Sequence, residues 1–546
     1  MPILCCLWDL LKFPYYKIKS KYSISRSGMS TNKSIAKSAG IIGVATLVSR
    51  ILGFIRDIIF AAFFGTGIFA QAFVVAFRIP NLFRDLIGEG ATNAAVVPVL
   101  VEELTHKGKD EFWKLANILL NLLLVVLTLL TLLGVILSRP IVIAIAPGFL
   151  QDAEKLNMTI ALTRTIFPYL IFIGLAAYSM GVLNSIKHFT APAFSMGLLN
   201  VALILCMFIW RQDVLGLGIG VLLGGFLQIA VQVPVLIKSG ITFSQRSFIH
   251  PKIRKIVRLL LPRIFGSGVY QINVFVSTVL ASIARIVGEG AVAALYFSNR
   301  ILQFPLAIFA IALAQAALPT LSGHVARKEA EEFRDTVNFL LRSVFFVLLP
   351  ASAGLIALSV PITSTLLERG AFGGYSTMIT SNALFFYAFG LLAYGTIKIL
   401  VNSFYAMQDT KTPVKIAAFS LVVNIFLSIV LMFRFKVGGL ALANSISGIL
   451  NAVLLFIVLR RRIGTLHEKS LLASLVKIFI ASLLMGIFVF WLHGYLRLVF
   501  FSGAIWHSAL SLLFSICGAV IFYLLACYGL RIKELKEFVG WVLKKI

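Results

Sequence analysis

The chain has 546 residues, of which 60% are apolar and 13% are charged. A soluble domain carries about 25% charged residues and fewer than half apolar ones, so this composition excludes a water-soluble globular protein. Lys and Arg number 49 against 21 Asp and Glu, a net charge of +28. The basic residues stand in short gaps between apolar runs, as in membrane-protein loops beside anionic lipid, so we expect no nucleic-acid partner.

Apolar stretches follow one another along nearly the whole chain, and a spanning helix needs about 20 such residues. The stretches lie near 39–64, 67–103, 113–138, 158–184, 192–211, 214–237, 256–285, 290–322, 336–361, 376–407, 412–434, 437–459, 470–495 and 505–530. The second, eighth and tenth are too long for a straight span, so we expect them to bend. The sequence predicts an all-α polytopic membrane protein with about 14 transmembrane helices.

Loop charges predict the orientation of these spans. Residues 1–37 carry seven Lys or Arg and one acid, Asp9, and residues 238–258 carry six Lys or Arg and no acid. Positive loops stay in the cytoplasm, which places both termini there. Residues 1–36 form a basic extension; Met29 is an alternative start, so whether residues 1–28 are translated stays open.

An internal repeat relates spans 1–6 to spans 7–12. Matching pairs are Gly65 and Gly288, Arg78 and Arg300, and Asn184 and Asn402, at offsets of 223, 222 and 218 residues. Because six spans separate the copies, both have the same orientation, and a parallel pseudo-repeat follows. We predict an N-lobe at 37–245, a C-lobe at 246–465 and an addition of two helices at 466–546. Chance similarity between apolar sequences is the alternative.

Several arginines lie inside predicted spans, where one charge costs about 2.5–3.5 kcal/mol on insertion scales. These are Arg50, Arg56, Arg84, Arg263 and Arg300, and Lys398 is a further candidate. The nearby acids Asp57, Asp85 and Glu89 leave a basic excess. Each arginine could pair with an acid or extend to an interface, most readily Arg263. The alternative is a basic cavity, and because the guanidinium fork grips phosphate oxygens bidentately, it would favour phosphate or diphosphate.

Signatures of catalysis and metal binding are missing from the sequence. The cysteines form no CxxC pair, and no HExxH, GxSxG or Walker A spacing occurs. We therefore expect no catalytic residue, no bound metal and no cofactor.

Six segments together resemble the MurJ (MviN) lipid II flippases of the multidrug/oligosaccharidyl-lipid/polysaccharide exporter superfamily. They are Ser49–Asp57, Ala76–Arg84, Glu89–Ala91, Ala146–Phe149, Asn299–Pro305 and Phe404–Val414. The resemblance implies a fourteen-helix carrier of the bacterial inner membrane. It would move lipid II, the undecaprenyl-diphosphate-linked peptidoglycan precursor, to the periplasmic leaflet by alternating access. Membrane lipids and the cell-wall synthesis machinery are the implied partners.

The resemblance also assigns residues. Cavity arginines of the family correspond to Arg50, Arg56, Arg84 and Arg300, and its acid after the arginine turn of span 2 corresponds to Glu89, a supporting or gating residue. Gln71 departs from the family pattern, because relatives often have an acid at this position. Span 7 also lacks the acid that contributes to a cation site in some members. Whether an ion or the membrane potential drives transport therefore stays open.

Other functions compete with this interpretation. They are export of another polysaccharide lipid or of a drug, an enzyme of lipid-linked sugar metabolism, and a membrane scaffold. The spans offer too few acids and histidines for the enzyme, and a scaffold gives no reason for buried arginines.

Overall fold

The structure is a computed structural model that describes residues 27–84, 96–210, 213–241, 250–499 and 505–536. The side chains of residues 27–42, 261–267, 270 and 505 fall outside this description. Every regular element in the described ranges is a helix, as expected where backbone groups in lipid must find partners within their own segment. The predicted all-α membrane fold is confirmed.

The helices of the first half run from residue 27 to residue 238. They are α1 (Ser27–Phe64), α2 (Ile68–Phe83), α3 (Val97–Ile136), α4 (Ser138–Ile145), α5 (Ala153–Ile166), α6 (Tyr169–Ser185), α7 (Thr190–Ile209), α8 (Val214–Ala230) and α9 (Val233–Lys238).

The remaining helices begin at residue 251. They are α10 (Pro251–Ala281), α11 (Ala284–Val287), α12 (Ala291–Pro305), α13 (Ala312–Ala326), α14 (Ala330–Ala357), α15 (Ser359–Leu367), α16 (Gly374–Ala388), α17 (Leu391–Ala406), α18 (Lys411–Phe435), α19 (Val437–Ile463), α20 (Glu468–Val499) and α21 (Ile505–Gly529).

Within the described residues, ten helical segments are long and apolar enough to span a membrane, and the bent pair α16 and α17 would make eleven. The predicted bend of the tenth span is present, because α16 meets α17 at 47°. In the eighth span a π-helical turn at Leu306–Ile311 joins α12 to α13, and its predicted bend stays a prediction. The predicted count of 14 is not reached by this measure, since α2 and the end of α10 are shorter apolar helices.

The predicted second span at 67–103 is described only in part. Helix α2 ends at Phe83, residues 85–95 lie outside the described residues, and α3 starts at Val97 with Pro98 in its first turn. Proline suits this position because the first amides of a helix have no helical partner. Gly108 then breaks α3 with a φ of 84°, so Val97–Lys107 is a short segment before the spanning part.

Helices pack closely where glycine replaces a side chain. A Cβ atom on Gly224 of α8 would lie 2.8 Å from Leu199 Cα of α7, and one on Gly395 of α17 would lie 2.2 Å from a methyl group of Leu348 on α14. Helices in lipid associate through such contacts because lipid tails are as apolar as leucine.

Helix starts recur between the two halves. Helices α2 and α12 begin at residues 68 and 291, α4 and α15 at 138 and 359, and α7 and α18 at 190 and 411. The corresponding offsets are 223, 221 and 221 residues, close to those of the sequence repeat. They support two lobes, and the proposed boundaries stay a prediction.

Two glycine turns join the halves at one end of the bundle, which we call the Thr66 end. Gly65 lies between α1 and α2 with a φ of 56°, and Gly370 lies between α15 and α16 with a φ of 57°. The Ala371 amide donates to the Ala62 carbonyl at 2.8 Å. A Cβ on Gly65 would lie 2.4 Å from the Ala371 oxygen, and one on Gly370 would lie 2.3 Å from the Ala62 oxygen.

Polar contacts extend this junction. The hydroxyls of Thr66 and Ser376 lie 2.8 Å apart, and Lys155 on α5 pairs with Glu289 at 2.8 Å. The Lys155 side chain is only 3% exposed, so the pair is shielded on the lysine side. The Thr66 end is therefore closed in this conformation.

The two C-terminal helices attach to the second half. Helix α20 packs along α14, and Glu534, beyond α21, accepts from Arg342 Nε of α14 at 2.5 Å. Ser474 of α20 donates to the same carboxylate. These buried contacts hold the addition against the bundle at the opposite end, which we call the His250 end.

Replacing Gly65 with alanine should open the Thr66 end. The left-handed backbone costs alanine about 1–2 kcal/mol, and the new Cβ collides with Ala371. Spin labels at Leu150→Cys and Gly374→Cys, both exposed, would report the gap in a cysteine-free background. We expect the long-distance population to rise about fivefold or more. Gly354→Ala, with nothing within 4 Å of the new Cβ, is the control; equal distances in both variants would contradict the junction.

Candidate functional site

The candidate site lies between the halves, roughly two helical turns inside the Thr66 end. Arg56 and Asp57 precede the end of α1 by eight and seven residues, and Arg300 follows the start of α12 by nine. At 1.5 Å per residue these positions are about 10–14 Å deep. Asn200, nine residues before the end of α7, has the same depth.

Asp57 is the centre of the cluster. Its Oδ1 atom accepts hydrogen bonds from Arg56 Nε at 3.1 Å, from Arg56 Nη2 at 2.7 Å and from the Tyr296 hydroxyl at 2.8 Å. Its Oδ2 atom lies 3.4 Å from Arg300 Nε. One carboxylate from the first half thus binds both a neighbouring arginine and two side chains of the second half.

Arg56 is held on three sides. Besides Asp57, its Nη1 donates to Asn200 Oδ1 at 3.0 Å and its Nη2 donates to the Tyr296 hydroxyl at 3.2 Å. The side chains of Arg56 and Asp57 are 11% and 7% exposed. Charges this shielded from water persist only when paired and hydrogen-bonded, so the cluster fixes the Arg56 fork in one orientation.

Arg300 is the accessible member of the cluster. Its side chain is 41% exposed, and its guanidinium lies 5.1 Å from the centre of the Tyr296 ring, one helical turn earlier. Two guanidinium groups share one carboxylate, so Arg56, Asp57 and Arg300 carry a net charge of +1. This net positive charge would attract an anion that enters between the halves.

The cluster is tightly packed in this conformation. The adjoining cavity measures about 10 Å³, roughly the room that one water molecule needs. A diphosphate therefore does not fit this cavity while Asp57 holds Arg56. To bind Arg56 as well as the exposed Arg300, it must replace Asp57 as the partner of Arg56.

The other two arginines of the predicted cavity lie deeper. Arg50 is 14 residues before the end of α1, and Arg84 is 16 residues after the start of α2, depths of about 21 and 24 Å. Arg50 is exposed and Arg84 is partly buried. The arginines thus form two levels about 10 Å apart, and Arg56 and Arg300 are the pair that the structure brings together.

Two of the other supporting residues can be placed, and neither belongs to the Asp57 cluster. Gln71 is buried near the Thr66 end and is not a member of the Asp57 cluster, and Lys398 is exposed on α17, about 12 Å from the helix end at Ala406. Arg263 lies on α10, but its side chain is outside the description, and Asp85 and Glu89 lie outside the described residues. The roles assigned to these five residues stay predictions.

Sequence reasoning missed Tyr296 and Asn200. Tyr296 precedes Arg300 by four residues, so both side chains occupy the same face of α12. Asn200 is a polar side chain inside an apolar span, a placement that commonly marks a helix–helix hydrogen bond. These two signals were present in the sequence.

A larger cavity of about 800 Å³ lies near the Thr66 end between α2, α5 and α8. Its lining is mostly apolar and includes the carboxylates of Glu154 and Asp213. Among its described lining residues there is no Lys or Arg. This charge disfavours an anionic ligand, so the cavity does not compete with the Asp57 cluster as a diphosphate site.

An ion-pair cluster links α3 to the start of α10 at the His250 end. Lys252 pairs with Glu102 at 2.8 Å and with Glu103 at 3.2 Å. His250 Nδ1 accepts from the Lys252 amide at 3.2 Å, and its Nε2 faces Glu111 at 3.6 Å. The histidine is oriented as a helix cap and the glutamates are shared with lysine, an arrangement for joining helices.

The segment Phe404–Val414, which carries much of the resemblance, is a structural turn at the His250 end. Gln408 has a φ of 60°, and Asp409 Oδ1 accepts from the amides of Lys411 and Thr412 at 3.0 Å. Arg462, at the end of α19, donates to Asp409 Oδ2 and to the Thr412 hydroxyl. Partial burial alone would raise the pKa of Asp409, but hydrogen bonds from Thr412 and Arg462 lower it to about 2.

Comparison with known proteins gives one consistent result. The family model described as lipid II flippase MurJ matches residues 60–508. A probable lipid II flippase MurJ of Rhizobium tropici is 37% identical over 463 residues, 83% of this chain and 86% of the relative. The lipid II flippase MurJ of Burkholderia cenocepacia is 35% identical over 426 residues, 76% of this chain and 82% of the relative.

Solved structures agree with the relatives. A lipid II flippase MurJ in an inward closed conformation superimposes with a TM-score of 0.75 at 27% identity, covering 90% of this chain and 99% of that structure. An inward-facing multidrug transporter of the MATE family has a TM-score of 0.66 at 15% identity, covering 77% of this chain and 96% of that structure. The similarity to the MATE-family transporter shows a shared fold and nothing more.

The Asp409 turn gives a pH-dependent prediction. The pKa of an unfolded aspartate is about 3.9, so the contribution of Asp409 to stability is complete above that pH and is lost as the pH falls toward 2. Arg462→Gln should lower the unfolding temperature in detergent by roughly 2 °C at pH 7, and the difference should shrink toward pH 3. Arg461→Gln, at the adjacent exposed position, is the control; an equal loss there would rule out a specific clamp.

Proposed function

The chain belongs to the lipid II flippase MurJ family, and we propose that it carries lipid II across the bacterial inner membrane from the cytoplasmic to the periplasmic leaflet. It is a transporter, since flipping makes and breaks no covalent bond. The observation that carries the proposed site is the position of Arg56 and Arg300, contributed by different halves and both bound to Asp57.

A diphosphate is the ligand that fits this pair. Each guanidinium offers a planar fork that matches two phosphate oxygens, and two forks facing one another would hold the two phosphates of the precursor. In the closed conformation Asp57 occupies these forks. Exchange of the carboxylate for the diphosphate keeps both arginines paired, so neither is left as an isolated charge.

Alternating access follows from the location of the site. Because the halves meet at Asp57, replacement of its partners weakens the bond between them, and rotation of one half against the other would expose the site on alternate sides. The sugar–peptide head would cross between the halves. The lipid tail would remain in the bilayer or follow α20 and α21, whose outward faces expose Phe479, Phe490 and Leu525.

The loop charges assign the two ends of the bundle. The His250 end carries Lys252, Lys255 and Arg460–Arg462, so it should face the cytoplasm. The Thr66 end would face the periplasm. The present conformation would then be closed toward the periplasm, as required of a carrier that takes its substrate from the cytoplasmic side.

The arginine forks can be tested by conservative substitution. Arg56→Lys and Arg300→Lys keep the charge but lose a bidentate hydrogen bond worth about 1.5–3 kcal/mol, so each should weaken precursor binding at least about tenfold. Alanine should be worse at each site. Binding to purified protein and complementation of a strain depleted of its own flippase are the measurements.

Arg434→Lys, at an exposed position near the end of α18, is the matched control for these variants. Wild-type activity of Arg300→Lys would contradict bidentate binding. Normal precursor binding by the alanine variants would exclude the site.

Orientation has a separate test. Single cysteines at Gly374→Cys and Lys469→Cys, both exposed, should react with an impermeant thiol reagent from opposite sides of the membrane. We expect labelling of Gly374→Cys in intact spheroplasts and of Lys469→Cys only after lysis. Labelling of both in intact spheroplasts would contradict the proposed topology.

A further inference from the structure

Tyr296 contacts every charged group of the site. Its hydroxyl donates to Asp57 Oδ1 at 2.8 Å and accepts from Arg56 Nη2 at 3.2 Å. Its ring lies under the guanidinium of Arg300 at 5.1 Å. One side chain of the second half thus binds two charges of the first half and supports a third on its own helix.

The hydroxyl has a defined direction in this arrangement. A tyrosine hydroxyl has a single proton to donate, and because the carboxylate of Asp57 can only accept, that proton must point to Asp57. The oxygen lone pair then faces Arg56. The hydroxyl bonds therefore cross between the halves, whereas the ring contact lies within α12.

Substrate binding would leave the Asp57 carboxylate buried without its cationic partners. When a diphosphate takes both guanidinium groups, Asp57 loses its cationic partners, yet it is only 7% exposed in the closed conformation. A buried carboxylate without donors is strongly unfavourable. The diphosphate takes the two guanidinium groups but not the Tyr296 hydroxyl, so the hydroxyl can keep its hydrogen bond to Asp57.

We propose that Tyr296 is a positioning residue that retains Asp57 when the diphosphate displaces it, and so keeps the Thr66 end closed in the loaded state. The inference rests on the proposed function, because it requires a diphosphate to bind at Arg56 and Arg300. The hydroxyl holds the halves together, and the ring orients Arg300 for the substrate. These two roles belong to different parts of one side chain.

Two substitutions separate the roles. Tyr296→Phe keeps the ring and removes the hydroxyl, while Tyr296→Leu removes both. Tyr178→Phe is the matched control, because the buried Tyr178 hydroxyl donates to the Ala116 carbonyl at 2.8 Å within the first half. Spin labels at Leu150→Cys and Gly374→Cys report closure of the Thr66 end in the purified full-length chain, and precursor binding is measured on the same samples.

If Tyr296 is a positioning residue, the effect of removing its hydroxyl on opening of the Thr66 end should depend on a bound anion. Without ligand, Tyr296→Phe should open less than about threefold more than wild type, because both arginines still hold Asp57. With the lipid-linked precursor it should open at least about tenfold more, the loss expected for a hydrogen bond to a charged group. Inorganic pyrophosphate in place of the precursor shows whether the diphosphate alone produces the effect.

Binding distinguishes the ring from the hydroxyl. Tyr296→Phe should bind precursor about threefold more weakly than wild type, because the closed state loses more stability with the precursor than without it. Tyr296→Leu should bind about threefold more weakly than Tyr296→Phe, because the cation–π contact with Arg300 is also lost. Tyr178→Phe should match wild type in both measurements.

Each remaining outcome overturns a defined part of the account. Equal opening of Tyr296→Phe with and without precursor would show a merely structural hydroxyl and refute the proposal. Normal precursor binding with wild-type distances in Tyr296→Phe would refute it as well, while leaving the proposed function intact. Failure of the wild type to bind precursor would refute the proposed function, and the role of Tyr296 with it.

Discussion

Asp57 must be neutralised, and the interface between the two halves is organised around that requirement. A carboxylate in the interior of a membrane protein is unfavourable unless cations and hydrogen-bond donors surround it. Here the donors come from both halves, Arg56 from one and Tyr296 and Arg300 from the other. The Asp57 carboxylate, which is unfavourable to bury, is therefore also the group that joins the halves in the closed conformation.

Closure has a second component that involves no charge. The turns at Gly65 and Gly370 approach so closely that neither tolerates a Cβ atom, and they lie about 10 Å beyond the charged cluster. The backbone junction seals the Thr66 end, and the cluster responds to an anion. Separation of these tasks lets a ligand alter the strength of closure without contacting the seal.

Much of the fold and part of the site could be predicted from the sequence. Long apolar runs gave the helical membrane fold, and the cost of burying charge singled out Arg56 and Arg300, which the structure brings together at Asp57. The predicted span starts at residues 67 and 290 already place Arg84 deeper in its helix than Arg300, but spacing along one helix could not show that Arg300 meets Asp57 on another.

Contacts between residues far apart in the chain could not be predicted from the sequence. Asn200 and Tyr296 reach Arg56 from positions 144 and 240 residues away. Local patterns mark both as candidate polar contacts, but they do not show that Arg56 is the partner. Likewise, the Phe404–Val414 segment suggested family membership, but only its contacts with Arg462 reveal that it is a structural turn.

A structure of the protein with the lipid-linked precursor bound would test the central claim most directly. The account predicts diphosphate oxygens within about 3 Å of the guanidinium groups of both Arg56 and Arg300, with Asp57 released from both arginines. A diphosphate bound elsewhere, with Asp57 still holding Arg56 and Arg300, would contradict it.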